Sequence, residues 1–463
     1  MSINVCFEIQ RLVLHISSRA WAPGMSASVA RLGVVTRTPR RASSRSRCSR
    51  RVPPRAMPTR AAYGARAPSC PADVDAAFVS LPVLSLPPKG CDAATERAFA
   101  ILLREVCHQV GFFYITDIDH VLKETTRAGA LGAARRFFSM DDATKNKMNM
   151  KSSPAFRGYV SLGAENTAGE PDFREQVEFG VERSSVVVDV DSKAPPPPYD
   201  VLCGPNQWPS ESDCPEFRTE IETFLEEAEV LSIRIMELLA LSLDQPRDYF
   251  DSTFGDEPNV QTKIARYPAV IGCEEGDESV TPQTQTFGVG AHTDSGFLSL
   301  LLQDDVEGLQ VQNGNGQWVD APPVEGSLVV NLGEMLQLVT GGYYLATPHR
   351  VVNQRLAPVA DADTEETEKI DRISVPYFFN PKLSYVASPI DLQRSLPWRR
   401  AKPDTVRATE SHGFGGNSLF ETYGANALKS LARSHPEVTR RHHPGLAVLK
   451  NGNVVTREKR VKQ

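Results

Sequence analysis

Hydrophobic residues recur every three or four positions in two stretches of the first half of the chain. The first stretch, residues 94–111, predicts a helix with these buried positions: Ala98, Ile101, Leu102 and Val106. The second, Cys214 to Leu243, predicts a longer amphipathic helix with these buried positions: Phe217, Ile221, Phe224, Leu225, Ala228, Leu231 and Ile235. Residues 155–183, between them, are rich in glycine and polar groups and are predicted to be irregular.

Beyond residue 255 the pattern changes to short apolar runs that are separated by turn residues. Asn-Gly-Asn-Gly at 313–316 stands between two such runs and predicts a hairpin. Regularly spaced short strands predict a barrel or a jelly-roll sandwich, so the expected fold class is α+β. We expect a helical region over 78–250, a strand-rich core over 256–390, and a C-terminal segment over 391–463 with a disordered tail.

The N-terminal segment differs in composition from the rest of the chain. Residues 1–72 hold thirteen arginines, no lysine and one acid, a formal charge of +12, which leaves −18 for the remainder because the total is −6. A segment so rich in Arg, Ser, Ala and Pro cannot fold alone. Its composition is typical of a transit peptide, so we expect a plastid location. A mitochondrial location, or a cytoplasmic protein with a basic tail, stays open, and Met25 is an alternative start to Met1.

Charge and cysteine usage limit the classes of partner. The acidic body argues against nucleic acid, because binding phosphates needs clustered cations. No apolar run in the sequence approaches the ~20 residues that span a bilayer, so we expect no membrane partner. Beyond residue 72 there are five cysteines without a Cys-X-X-Cys spacing, which indicates a reducing compartment. The sequence gives no oligomeric state.

A histidine and an aspartate stand two positions apart at the start of a long apolar run. Alternation along a strand would place His292 and Asp294 on one face. Buried polar groups are costly unless paired, and a metal ion can be the partner. Of the nine histidines, His349 is the other one within a predicted core strand, which antiparallel pairing would bring beside His292. Two histidines and one carboxylate leave coordination positions open, which suits Fe(II) and oxygen chemistry.

A second pair of residues predicts an anion receptor. Arg372 and Ser374 share one face of a predicted strand, 23 residues after His349. A guanidinium binds a carboxylate through two hydrogen bonds, and a hydroxyl donates a third. Taken alone, the same pattern also fits a surface arginine on an edge strand.

With these motifs the sequence resembles the iron and 2-oxoglutarate-dependent dioxygenases of the isopenicillin N synthase-like type. The resemblance covers about residues 78–445 and leaves out the leader. It is carried by these stretches, among others: GFFYIT (111–116), RGYVSLGAENTAGEPDFREQVEFG (157–180), GPNQWP (204–209), GVGAHTDSGFLSLLLQDDVEGLQVQN (288–313), TPHRVVN (347–353) and RISVPYFFNP (372–381).

The resemblance implies a distorted double-stranded β-helix, or jelly roll, flanked by helices. It implies that His292, Asp294 and His349 bind Fe(II). It also implies a reaction in which 2-oxoglutarate and O2 are consumed while a small molecule is hydroxylated, desaturated or cyclised. Ascorbate is an expected stimulant of such a reaction.

The resemblance also assigns a cosubstrate pocket. Arg372 and Ser374 match the Arg-X-Ser motif that binds the distal carboxylate of 2-oxoglutarate, and Tyr267 matches a tyrosine that binds the same molecule. Many plant members have asparagine two residues before that tyrosine, where this chain has Ala265. This departure concerns one expected hydrogen bond to the cosubstrate and leaves the expected chemistry unchanged.

Substrate contacts are expected from two parts of the sequence. Phe378 falls where family members often place a substrate-stacking aromatic residue, and Leu300 is expected to line the same cavity. The segment 157–180 is expected to frame that cavity and offers these residues: Arg157, Tyr159, Glu165 and Asn166. An equally open reading is that these residues only anchor a loop.

Two other functions remain open from the sequence. An iron oxidase of the same fold that uses no 2-oxoglutarate also carries Arg-X-Ser, so this motif does not exclude it. A non-catalytic binding module would be expected to have lost one of the three metal ligands, and here all three are present. Consumption of 2-oxoglutarate distinguishes the first alternative.

Overall fold

The computed structural model of the protein describes residues 78–167, 170–184, 196–255, 257–271, 287–356, 371–392, 420–449 and 454–456. The Arg-rich leader and the acidic segment 361–369 lie outside the described residues. Within these ranges, no helix has both the length and the hydrophobicity needed to cross a bilayer.

The described α-helices lie in three groups along the chain. They are α1 (Ala93–Gln109), α2 (Glu124–Phe138), α3 (Asp142–Asn146), α4 (Phe217–Ser242), α5 (Asp251–Phe254), α6 (Glu334–Val339), α7 (Tyr423–Ser434) and α8 (Pro436–His442). Short 3-10 turns occupy Met150–Ser152 and Pro198–Leu202. Asp92 and Asp141 cap α1 and α3, because their carboxylates accept hydrogen bonds from the first free backbone N–H groups.

The described strands are mostly short and antiparallel. They are β1 (Val83–Ser85), β2 (Phe112–Thr116), β3 (Gly158–Val160), β4 (Asn166–Thr167), β5 (Glu170–Pro171), β6 (Glu175–Gly180), β7 (Asn259–Tyr267), β8 (Val270–Ile271), β9 (Phe287–His292), β10 (Leu298–Gln303), β11 (Leu309–Gln312), β12 (Trp318–Asp320), β13 (Leu328–Leu332), β14 (His349–Val352), β15 (Arg355–Leu356), β16 (Arg372–Asn380), β17 (Leu446–Val448) and β18 (Val454–Thr456).

Two sheets form the core of the fold. The larger has the order β1-β2-β13-β10-β16-β7-β6-β3, and the smaller has the order β12-β11-β14-β9. Side chains from both sheets form one apolar cluster, which includes Ala265 and Tyr267 from β7, Val289 from β9 and Val351 from β14. The opposite face of the large sheet packs against the helices in a second cluster. This is the expected jelly roll with flanking helices, so the predicted fold class is confirmed.

The buried face predicted from periodicity agrees with the structure in one of the two long helices and not in the other. In α4 the buried positions include Phe217, Ile221 and Leu231, as predicted. In α1 the predicted face was wrong, because Ile101 and Leu102 are 43% and 41% exposed. The buried stripe of α1 is the neighbouring one: Phe99, Ala100, Leu103, Val106 and Cys107. Apolar residues lie on two sides of this helix, so spacing alone did not select the side that packs.

Strand β6 lies in the segment that was predicted to be irregular. All six of its residues are buried, including the carboxylates of Glu175 and Glu178. Glu175 pairs with Lys145 at 2.8 Å and with Arg266 at 2.7 Å. Buried acids are tolerated when cations neutralise them, and such a strand does not show an apolar pattern in the sequence.

The predicted region 78–250 holds the helices α1 to α4 and also supplies β1, β2, β3 and β6 to the large sheet. The predicted bounds of the regions stay a prediction. The C-terminal tail was predicted to be disordered, but Val454–Thr456 pairs with Leu446–Val448 as an antiparallel hairpin. The remaining tail residues lie outside the described ranges.

Candidate metal centre and anion pocket

A cavity of about 230 Å³ lies between the two sheets. Three groups of predicted residues line it together: His292, Asp294 and His349; Tyr267, Arg372 and Ser374; and Arg157, Glu165, Asn166 and Phe378. The structure therefore brings most of the predicted site residues to one place.

Strand pairing brings the two histidines together. His292 is the last residue of β9, His349 is the first of β14, and the two are direct partners in the antiparallel register. Their ring centroids are 4.2 Å apart. Asp294 lies two residues beyond the end of β9, so its convergence on His292 comes from the loop and not from strand alternation, as the sequence had suggested. Its Oδ1 is 3.8 Å from the Nε2 atom of each histidine.

Hydrogen bonds orient all three side chains. The Nδ1–H of His292 donates to the Gly290 carbonyl at 2.9 Å, and that of His349 donates to the Thr347 carbonyl at 3.2 Å. The Nε2 lone pairs are therefore left free on the side of Asp294. Backbone acceptors of this kind fix the tautomer and the ring orientation of metal-binding histidines.

Asp294 is held by its other oxygen. Its Oδ2 accepts hydrogen bonds from the Ser299 hydroxyl at 2.6 Å and from the Asn331 amide at 2.7 Å. Ser299 and Asn331 face each other across β10 and β13. This leaves Oδ1 available at the centre of the three side chains.

The protonation states suit a divalent cation. Burial, together with the neighbouring His349, lowers the pKa of His292 to about 3, so its imidazole is neutral near neutral pH. Burial acts to raise the pKa of Asp294, but the two histidines and the donors Asn331 and Ser299 outweigh it and lower the pKa. Two imidazoles and one carboxylate, with ligand atoms within 4.8 Å of one another, fit Fe(II) with open coordination positions.

The residues predicted to form an anion receptor lie together on the cavity wall. Arg372 is 2% exposed, and its guanidinium lies 4.9 Å from the ring centre of Tyr267. Its Nη2 donates to Gln303 Oε1 at 2.7 Å, whereas Nε and Nη1 have no partner among the described residues. A buried cation with unused donors on a cavity wall fits a carboxylate ligand.

Tyr267 and Ser374 lie beside this guanidinium. The Ser374 hydroxyl is 3.5 Å from the Tyr267 hydroxyl. Burial acts to raise the pKa of Tyr267, but the charges of Arg174 and Arg372 outweigh it and lower the pKa. Ala265, two residues earlier, is fully buried in the apolar cluster between the sheets and offers no side-chain hydrogen bond there.

Two predicted substrate residues do not line the cavity. Leu300 points into the core between the large sheet and the helices, and its neighbour Leu301 faces the cavity instead. Successive residues of a strand point to opposite faces, so the choice of Leu300 instead of Leu301 was an error of one position. Tyr159 is 2% exposed and donates to Glu175 at 2.6 Å within the helix-side core. Gly158, with a φ of +113°, turns the chain between Arg157 and Tyr159, so the two side chains lie on different sides.

Several polar residues of the cavity were missed in the sequence. Gln261 and Lys263 lie on the same face of β7 as Tyr267, so alternation from that tyrosine was a usable signal. Arg174 lines the cavity next to them. Helix α7 closes the cavity with these residues: Ala427, Ser430, Leu431, Arg433 and Ser434. No sequence pattern placed that helix over the site.

A second group of potential metal ligands borders the cavity. Glu165, Glu178 and His435 are all buried with ligand atoms within 4.8 Å of one another. The ammonium group of Lys263 already lies between the two carboxylates, at 2.9 Å from Glu165 and 3.2 Å from Glu178. Arg174 holds the other oxygen of Glu165 at 2.6 Å. This group is an internal ion network in which lysine supplies the cation.

Comparison with known proteins gives matches along most of the chain. Residues 260–381 match the model of the 2OG-Fe(II) oxygenase superfamily, and residues 81–211 match the N-terminal model of the non-haem dioxygenases in morphine synthesis. A probable iron/ascorbate oxidoreductase of Dictyostelium discoideum is 32% identical, over 77% of this chain and 95% of the relative. A 2-oxoglutarate-dependent dioxygenase of Gibberella zeae is also 32% identical, over 80% of this chain and 93% of the relative.

A solved structure supports the fold. A full-length Neurospora crassa protein, crystallised in complex with alpha-KG and thymine, superimposes with a TM-score of 0.57 at 24% identity. The match covers 76% of this chain and 96% of that one. With this fold and the two family models, the chain belongs to the 2OG-Fe(II) oxygenase superfamily and is an Fe(II)- and 2-oxoglutarate-dependent dioxygenase.

Proposed function

We propose that His292, Asp294 and His349 are the Fe(II) ligands of this dioxygenase. The observation that carries the proposal is the pattern of hydrogen bonds. It leaves one atom of each side chain free to bind a metal, and these three atoms are directed to one point. Bound there, Fe(II) supplies the redox chemistry that couples decarboxylation of 2-oxoglutarate to oxidation of a second molecule. The protein residues supply position and protonation state.

Arg372, Ser374 and Tyr267 are the proposed receptor for 2-oxoglutarate. The unused Nε and Nη1 of Arg372 support this role, because a buried guanidinium without a counter-ion is costly. The Ser374 hydroxyl is a further donor beside it. The aromatic ring of Tyr267 holds the guanidinium plane against the sheet.

The remaining part of the cavity holds the substrate. Phe378 and Leu301 give it an apolar wall, and polar residues from β7 and α7 surround the rest. A cavity of about 230 Å³ suits a small molecule. The proposed partner is therefore a small molecule rather than a nucleic acid or a membrane, and ascorbate is a proposed stimulant.

Succinate formation tests this function. The full-length protein is incubated with Fe(II), ascorbate, oxygen and 2-oxoglutarate, without a second substrate, beside Arg372→Ala. We expect slow succinate formation that the variant loses. Failure of the wild-type protein to bind or consume 2-oxoglutarate, with Fe(II) bound, would instead favour the iron oxidase of the same fold that uses no 2-oxoglutarate.

The leader carries a separate proposal. Residues 1–72 direct import into a plastid, on the basis of their thirteen arginines and single acid. Residues 1–77 fused to a fluorescent protein are expected to send it to plastids in plant cells. Mitochondrial or cytoplasmic fluorescence would reject this location.

A further inference from the structure

Among the described residues, two buried arginines differ from the others because they have no carboxylate within ion-pair distance. The buried arginines are Arg127, Arg157, Arg174, Arg234 and Arg372. Three of them have a carboxylate within 4.0 Å: Arg127 with Asp119 at 2.8 Å, Arg174 with Glu165 at 2.6 Å, and Arg234 with Glu96 at 2.8 Å. Among the described residues, Arg157 and Arg372 have none. Both line the same cavity.

The fold buries the Arg157 side chain and leaves room for its guanidinium. Its side chain is 4% exposed, its Nη2 donates to the Leu202 carbonyl at 3.2 Å, and its Nε has no partner in the described chain. The guanidinium lies directly over Gly180, where an added methyl group would overlap it. Glycine at this position of β6 therefore makes the room that Arg157 occupies.

The nearest acidic side chains are committed elsewhere. Glu178 receives hydrogen bonds from Gln176 and from Gln261, both at 2.6 Å, and pairs with Lys263. Glu182 accepts the Asn206 backbone N–H at 3.0 Å and the Trp208 indole N–H at 2.9 Å. These carboxylates offset the charge of Arg157 only at a distance. A buried charge without a direct counter-ion is costly, and an anionic ligand removes that cost.

The sheet register gives the separation between Arg157 and the metal ligands. Ser299, Phe378, Gln261 and Gly180 are successive partners across β10, β16, β7 and β6. Ser299 holds Asp294 at one end of this row, and Arg157 covers Gly180 at the other. Three strand spacings correspond to about 14 Å along the sheet. Phe378 and Gln261 both line the cavity between these ends.

We propose that Arg157 binds a carboxylate of the substrate and thereby selects small organic acids, including amino acids, as the substrate class. This inference rests on the proposed function, because it takes the metal centre as the place of oxidation. The guanidinium forms two hydrogen bonds with the carboxylate and supplies its counter-ion. Since the two ends of the row are well separated, the oxidised carbon lies several bonds from the carboxylate and is not adjacent to it.

The test compares acids with their amides. Full-length protein with Fe(II), ascorbate and 2-oxoglutarate is given straight-chain and aromatic carboxylic acids and α-amino acids, each beside its primary amide. Succinate formation above the rate without substrate is measured. We expect at least one acid to exceed its amide in kcat/KM by about 30-fold or more, because an unpaired buried guanidinium is left with the amide.

Two variants separate recognition from folding. Arg157→Met is expected to bring the acid-to-amide ratio close to one. Arg127→Met, which removes a buried arginine outside the cavity, is the matched control and keeps the ratio. In urea unfolding, Arg157→Met is expected to lose less stability than Arg127→Met, because Arg127 has a carboxylate partner and Arg157 has none.

Specific outcomes overturn the inference. Amides as effective as acids, no acid that exceeds its amide, or an unchanged ratio in Arg157→Met would each do so. So would a larger stability loss in Arg157→Met than in Arg127→Met with recognition retained, since that identifies a structural arginine. Failure of the proposed function is distinguishable, because wild-type protein would then fail to bind Fe(II), 2-oxoglutarate or both under anaerobic conditions.

Discussion

Replacing Ser299 by alanine should weaken Fe(II) binding without unfolding the protein. The Ser299 hydroxyl donates to Asp294 Oδ2 at 2.6 Å, and Asn331 remains as the second donor at 2.7 Å. A hydrogen bond to a charged group contributes about 1.5–3 kcal/mol. Residues that hold metal ligands from behind typically change metal affinity by about 10–100-fold. We therefore expect the Kd for Fe(II) to rise by about 10–100-fold in Ser299→Ala.

Anaerobic titration with Fe(II) measures this change directly. Turnover at saturating Fe(II) is expected to recover much of the wild-type rate, because all three ligands are retained. Ser327→Ala is the matched control, since its hydroxyl donates to the Val324 carbonyl at 2.7 Å in a turn outside the cavity. An Fe(II) affinity of Ser299→Ala within twofold of the wild type would show that Asp294 is not a metal ligand fixed through Oδ2.

Three further predictions concern the cosubstrate, the core and the ion network. Arg372→Lys should raise the KM for 2-oxoglutarate by about tenfold or more, because lysine cannot form the bidentate pair; an unchanged KM in a 2-oxoglutarate titration would contradict this. Leu300→Ala should lower the free energy of unfolding by about 2–5 kcal/mol in urea and leave that KM unchanged, whereas a selective change in KM would place Leu300 at the site after all. Asp172 joins the ion network through Arg174, at 3.2 Å. Burial, only partly offset by Arg174, raises the pKa of Asp172 to about 6, so the folded state keeps a proton that the unfolded chain loses. That stabilisation of the folded state is lost as pH rises from about 4 to 6. The free energy of unfolding of Asp172→Asn, relative to that of the wild type, should therefore increase over this range. A difference that does not change with pH would contradict this.

The residues proposed to bind iron and 2-oxoglutarate could be located from the sequence because few constraints bring them together. Antiparallel pairing was enough to bring His349 beside His292, and the register shows the two as direct partners. Alternation was enough to place Arg372 and Ser374 on one face of β16. Asp294 was found by its spacing from His292, although the strand ends before it.

Other features depended on interactions that a sequence does not display. β6 was missed because its buried glutamates are neutralised by Lys145, Arg266 and Lys263, which come from other parts of the chain. Leu300 was chosen in place of Leu301 because both residues belong to one apolar run, whose parity is set only by its partners. Tyr159 was misplaced because the positive φ of Gly158 breaks the alternation.

The sequence also did not show that Arg157 lacks a carboxylate partner. The segment 157–180 contains enough acidic residues to neutralise it. The structure shows that Glu165, Glu175 and Glu178 pair with other cations. Only the full set of contacts distinguishes an arginine that anchors a loop from one that is available to a ligand.

One iron site and one 2-oxoglutarate site are proposed to act together in the cavity. Anaerobic equilibrium dialysis with Fe(II) and labelled 2-oxoglutarate tests it most directly, with wild-type protein beside His349→Ala. We expect one Fe(II) and one 2-oxoglutarate per wild-type chain, with 2-oxoglutarate binding that strengthens when Fe(II) is present, and the loss of both effects in the variant. Stoichiometric Fe(II) binding by His349→Ala, or 2-oxoglutarate binding that is independent of Fe(II), would contradict it.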